Sequence, residues 1–211
     1  MEKKKNDFIA QGSILAVASI LVRVMGMIYR IPMTAIIGDK GNGFYSYAYS
    51  VYTILLLLSS YSLPLAVSKM VSAKAQLGQW RNVKRVFICA IAFAIGIGTT
   101  FGLIVLIGAQ FFTRVFFHSE LAAIALRFMA PTILIMALLG VFRGFFQGLQ
   151  NTLPTAVSQI VEGLINAIMS VVFAYFLFDF GHGMDAARGT TDLGYAWGAA
   201  GGAIGTGAGA L

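Results

Sequence analysis

Long apolar runs separated by short polar intervals dominate this chain, extending over residues 8–37, 44–68, 86–112, 121–147, 155–178 and 193–211. Within them apolar residues follow one another without the strict alternation of a half-buried strand. A run of about 20 such residues forms a helix long enough to cross the roughly 30 Å hydrocarbon core of a bilayer. An outer-membrane barrel would instead show alternating segments of about ten residues. The pattern therefore predicts an all-α, polytopic membrane helix bundle of about six transmembrane helices in a single transmembrane domain, residues 1–211. The last run, rich in glycine and alanine, stops at Leu211 without a polar flank, so the chain is expected to be a fragment whose last span is truncated.

Composition reinforces this, because 58% of the residues are hydrophobic and only 11% are charged, too few to cover a water-soluble domain. The net charge of +7 would suit nucleic acid if the bases were spread over one surface. They are not. Lys3, Lys4 and Lys5 precede the first run, and Lys69, Lys74, Arg81, Lys84 and Arg85 fill the connection between the second and third with no acid among them. Such clusters mark cytoplasmic loops, so the N-terminus is expected on the cytoplasmic side and no nucleic-acid partner is expected. The opposite connections are mixed or acidic: Asp39 with Lys40, Arg114 with Glu120, and Asp179, Asp185, Arg188 and Asp192. The start MEKKKNDF has the basic character of a secretory signal, but the hydrophobic pattern continues well past Ala16-Val17-Ala18, so cleavage there is not expected.

Pro32, Pro64 and Pro131 fall within or at the end of predicted spans, where a missing backbone donor bends a helix, whereas Pro154 suits a first helical turn. Gly140, Gly144 and Gly148, and again Gly201, Gly205 and Gly209, recur every fourth residue and form ridges that let a second helix approach closely. Cys89, the single cysteine, lies in an apolar run and reads as a packing residue. His118 and His182 stand apart in outer connections, no serine sits in a GxSxG setting, and the glycine-rich tail lacks a P-loop lysine. Neither a metal, a cofactor nor an enzyme activity is expected.

The chemistry of interest is charge inside the membrane. An arginine at the centre of a spanning helix costs about 2.5 to 3.5 kcal/mol on insertion scales, so it calls for an anion or a wet cavity. Arg23 and Arg30 are seven residues apart in the first span, so on a helix they point within roughly 20° of each other, about 10 Å apart along the axis. They are the candidate substrate-binding residues, suited to a phosphate or pyrophosphate. Arg30 and Arg127, nearer span ends, can also act as interfacial anchors. Arg143 and Glu162 lie in consecutive spans, each within a few turns of the connection 151–154, and form a candidate structural ion pair.

The stretches RVMGMIYRIPMTAIIGDKGNGFYSYAYSVY and GVFRGFFQGLQNTLPTAVSQIVEGLIN, with GAAGGAIGTGAGAL at the end, resemble the polysaccharide-exporter and lipid-flippase branch of the MOP superfamily, in particular its SpoVB-like, MurJ-related group. That resemblance implies the first lobe of a two-lobed transporter in a bacterial cytoplasmic membrane. Its partners would be an anionic lipid-linked glycan with a pyrophosphate headgroup, the lipid bilayer and a missing C-terminal lobe. It also implies transport by alternating access, with Arg23 and Arg30 facing a central cationic cavity. Two rival readings stand beside it: a MATE-like multidrug exporter, which would be expected to place acids in its cavity, and a non-transporting scaffold or inactive fragment.

Overall fold

A computed structural model describes residues 2–60 and 62–211, with side chains from residue 12 onward apart from that of residue 188. The side chains of Lys3, Lys4, Lys5 and Arg188 thus lie outside the described set. Six helices follow in order: α1 (Glu2–Ser59), α2 (Leu63–Gln76), α3 (Trp80–Phe117), α4 (Ala122–Gly148), α5 (Leu153–Arg188) and α6 (Leu193–Ala210). No strand occurs among the described residues. The chain is an all-α membrane bundle.

α1 is two helical arms joined at Gly38, whose φ of 63° and ψ of −178° only glycine adopts readily. The arms fold back on each other. A Cβ on Gly202 would meet Met33 Sδ at 3.0 Å and the Tyr45 ring at 3.2 Å, so residues on either side of the break converge at one level. The sharp reversal thus sits at the GDKG turn, while the helix passes through Pro32 without interruption. Pro131 likewise lies inside an unbroken α4. Pro64 does interrupt: lacking an N–H, it opens a new helix, and the predicted second span 44–68 is divided into the second arm of α1, ending at Ser59, and α2, starting at Leu63. Pro154 occupies the first turn of α5.

Among the described residues four helices are long and apolar enough to cross a membrane, Gly12–Gln76, Trp80–Phe117, Ala122–Gly148 and Leu153–Ala187, and the reversal at Gly38 makes their passes five. The expected sixth, 193–211, forms α6 but does not meet that description. Its glycines and alanines carry too little apolar surface. They instead allow burial against α5, α4 and α1. α5 also runs through Asp179 and Asp185, well beyond the predicted end at 178.

Glycine sets the helix spacing. A Cβ on Gly201 would stand 2.3 Å from the Phe173 carbonyl oxygen, one on Gly205 2.3 Å from Ser170 N, and one on Gly209 2.6 Å from the Glu162 carbonyl oxygen, so α5 and α6 touch backbone to backbone. Gly144 and Gly148 of α4 admit α2 equally closely, through the Pro64 carbonyl at 2.5 Å and Val71 Cβ at 2.7 Å. Such small-residue contacts replace the hydrophobic drive that helices lack toward one another in lipid. The outer surface is correspondingly apolar: Leu65, Ile107, Phe111 and Phe176 are exposed, as suits a multi-pass protein whose solvent is hydrocarbon. Cys89 is exposed on α3 and is not a packing residue of the bundle.

Candidate functional site

The first arm of α1 has two distinct sides. Ala18, Met33 and Ile37 are buried, and Val22 and Met25 pack on Gly163 of α5. The other side carries Ile20, Val24, Met27, Ile28 and Ile31, all exposed. Arg23 and Arg30 are exposed too, and among the described residues neither makes an ion pair. Arg30 edges a shallow hollow lined also by Ile31, Thr34 and Ala35. Two guanidinium groups therefore stand on an otherwise apolar, unpartnered face of a spanning helix. In a medium of low dielectric they favour a bidentate oxyanion over water.

Arg143 and Glu162 are placed differently. Arg143 Nη2 contacts Glu162 Oε2 directly, with the two side chains 14% and 23% exposed, so the charges neutralise one another inside the bundle. Arg143 Nε also donates to Ser158 Oγ at 3.0 Å, and Ser158 in turn donates to the Thr155 carbonyl at 3.0 Å. This network ties the end of α4 to the start of α5 across their short connection. Arg127 is exposed and unpaired among the described residues.

Two polar features carry no sequence signal. The Tyr45 hydroxyl lies 3.5 Å from Thr206 Oγ1, while Ser170 Oγ donates to Asn166 Oδ1 at 2.8 Å and to the Gly202 carbonyl at 3.2 Å. A polar seam thus joins the second arm of α1, α5 and α6. At the opposite end from the α4–α5 connection, Asp185 accepts from the backbone N–H groups of Leu193 at 3.1 Å and Gly194 at 2.8 Å and from Thr190 Oγ1 at 2.6 Å, capping α6 from the neighbouring helix. Lys40 reaches across from the Gly38 turn to Asp192 at 3.0 Å, closing the same end. His182 is packed on Phe178 and Tyr195, with ring centroids 4.4 Å and 5.9 Å away.

Against known proteins, the chain is similar to the lipid II flippase MurJ of Bacillus subtilis (26% identity over 200 residues, 90% of this chain and 37% of the relative). It is similar to the stage V sporulation protein B of the same organism at 26% identity, covering 82% of this chain and 34% of the relative. The uncharacterized membrane protein YabM of that organism is also 26% identical, over 82% of this chain and 32% of its own length. The chain thus spans about a third of the length of the curated relatives it matches. No solved structure gives a significant match. The model of the polysaccharide biosynthesis protein family matches residues 8–188, which with the helical membrane bundle places the chain in that family.

Proposed function

We propose that this chain is the first lobe of a longer, two-lobed transporter that flips an anionic lipid-linked oligosaccharide, a peptidoglycan or polysaccharide precursor, across a bacterial cytoplasmic membrane by alternating access, with its N-terminus in the cytoplasm. The observation that carries the reading is the pair of exposed guanidinium groups, Arg23 and Arg30, on the outer face of α1, neither of which makes an ion pair among the described residues. A pyrophosphate headgroup supplies the negative charge and the oxygen geometry that two such groups bind well. The relatives' names, a lipid II flippase among them, point the same way.

The step breaks no covalent bond, so the protein acts as a transporter rather than an enzyme. Its arginines have to hold the headgroup in one orientation of the lobes and give it up in the other, while the lipid tail stays in the bilayer. A drug exporter moving organic cations would be poorly served by two unpaired cations on this face. The test is Arg23→Ala in the complete reading frame that carries this chain, reconstituted in vesicles with a fluorescent lipid-linked oligosaccharide. Flipping should fall at least about tenfold, the scale of losing one charged hydrogen-bonded contact, while membrane abundance is unchanged and Arg127→Ala transports normally. Undiminished flipping by Arg23→Ala overturns the assignment.

A further inference from the structure

The hairpin of α2 and α3 carries a surface that the transport reading does not use. Just past the end of α2 at Gln76, Gly78 with a φ of 68° reverses the chain, and the N–H groups of Gly78 and Gln79 close on the carbonyls of Ala75 and Lys74 at 2.9 and 3.0 Å. α3 begins at once with Trp80. This short, hydrogen-bonded tip holds Lys69 and Lys74 on one helix and Arg81, Lys84 and Arg85 on the next. Positions 81, 84 and 85 share one helical face. All five are cations, no acid occurs anywhere between Asp39 and Glu120, and among the described residues none of the five makes an ion pair.

Apolar side chains stand beside these charges. Trp80 is 63% and Leu77 67% exposed at the tip itself. Depth follows from length: α3 has 38 residues, about 57 Å at 1.5 Å per residue, far more than the roughly 30 Å of hydrocarbon it crosses. Its apolar run starts directly after Arg85, which puts Arg81, Lys84 and Arg85 at the level of the headgroups and the tip in their polar zone. α3 also begins without an acid in its first turn or a side-chain cap, so the positive end of its dipole adds to the three cations. An indole and a leucine beside cations that make no ion pair among the described residues, at headgroup depth, match an anionic lipid surface.

We infer that the α2–α3 hairpin is a binding site for anionic phospholipid headgroups, distinct from the arginine face of α1 and independent of what the protein transports. Trp80 and Leu77 would settle among the glycerol groups while Arg81, Lys84 and Arg85, with Lys69 and Lys74, hold phosphates of two or more neighbouring lipids. The consequence is a bundle whose second and third passes are pinned to one leaflet.

Trp80 reports on its own surroundings, because the chain has only one other tryptophan, Trp197, which packs on Phe128 and Phe180 and can be replaced by phenylalanine. The Trp197→Phe chain is placed in phosphatidylcholine nanodiscs in which a minor fraction of the lipid is brominated near the headgroup, either phosphatidylglycerol or phosphatidylcholine. Brominated phosphatidylglycerol should quench Trp80 more than brominated phosphatidylcholine at the same fraction, and the difference should shrink as salt rises. The triple substitution R81Q/K84Q/R85Q should lower the phosphatidylglycerol enrichment at least about tenfold, since each cation near a charged surface contributes severalfold. Equal quenching by the two lipids, or a preference that survives the triple substitution, overturns the inference. So does a patch that binds polyglutamate without any lipid preference, which would assign it to an acidic protein. If the triple variant fails to fold by circular dichroism, the comparison of the two brominated lipids on the Trp197→Phe chain still decides. Flipping assays play no part, so failure here leaves the transport reading standing, and the reverse.

Discussion

Gly205→Ala is the sharpest structural perturbation available in this bundle. A Cβ there would lie 2.1 Å from Ser170 Oγ, 2.3 Å from Ser170 N and 2.4 Å from Ser170 Cα. The hydroxyl can rotate aside, but the backbone atoms cannot. Comfortable carbon contacts begin near 3.5 Å, so α5 and α6 have to separate by about 1 Å. Separation strains the hydrogen bond from Ser170 Oγ to the Gly202 carbonyl and loosens the contacts at Gly201 and Gly209, which lie on the same ridge. Overpacking of this kind costs about 1 to 3 kcal/mol, and a backbone clash belongs at the upper end. Gly26 supplies the control. A Cβ there meets nothing within 4 Å, so Gly26→Ala should be neutral or should stabilise by up to about 1 kcal/mol through helix propensity.

The assay is thermal unfolding of the purified chain in detergent, followed by circular dichroism at fixed protein concentration and scan rate. For a chain of this size about 1 kcal/mol moves the midpoint by roughly 2 to 4 °C. Gly205→Ala should therefore melt at least about 4 °C below the unmodified chain, while Gly26→Ala melts at or above it. Adding Ser170→Ala should not rescue Gly205→Ala, because the clash is with the backbone. Equal midpoints for Gly205→Ala and the unmodified chain, or full rescue by Ser170→Ala, would refute backbone contact as the basis of α5–α6 packing.

Two further predictions follow from the polar contacts. Arg143→Glu or Glu162→Arg alone leaves like charges facing each other in a partly buried site and should destabilise by about 3 to 5 kcal/mol, whereas the double reversal should recover most of the abundance lost; a double variant no better than either single one argues that the pair is not coupled. Asp185→Ala removes the acceptor of the first two N–H groups of α6 and should cost about 1 to 2 kcal/mol, read as faster hydrogen exchange at residues 193–196; unchanged exchange there would show that the cap is dispensable.

Much of the fold was legible because membrane helices announce themselves by length and apolarity. The glycine ridges were legible too, since a four-residue repeat of missing side chains means close approach on any helix, and both ridges are contacts here. What the sequence concealed depends on tertiary context. The reversal at Gly38 falls in the connection that the runs 8–37 and 44–68 already left between them, whereas the break between Ser59 and Leu63 looked from Pro64 alone like any proline bend. α6 read as a spanning segment because alanine and glycine count as apolar by composition; it is less apolar than the four helices that qualify by length and apolarity, and most of its surface is buried against α5, α4 and α1. Of the charged groups, Arg143 and Glu162 were close in topology and therefore nameable as neighbours. Asp185 lies on a stretch of α5 beyond the predicted helix end at 178, so no spacing rule pointed to its cap on α6.

The same residue type thus occupies two situations in one bundle, and packing decides which is which. Glu162, across from the first arm of α1, is held by Arg143, so it is not free to answer Arg23. Nor can Arg23 turn inward to find another partner. Val22 and Met25 are seated on Gly163, and Met33 against the space left by Gly202, so rotating the first arm of α1 to bury the arginines would break those close contacts and put bulk where only glycine fits. In lipid such packing is the main force between helices. The arginine face is therefore held outward by the residues on its back, and its charge has to be met by something that the described residues do not supply. That is the physical content of the transport proposal, and it places the burden on the anion: a headgroup that binds this face should protect Arg23 from guanidine-modifying reagents, and leave Arg143, already paired, as it was.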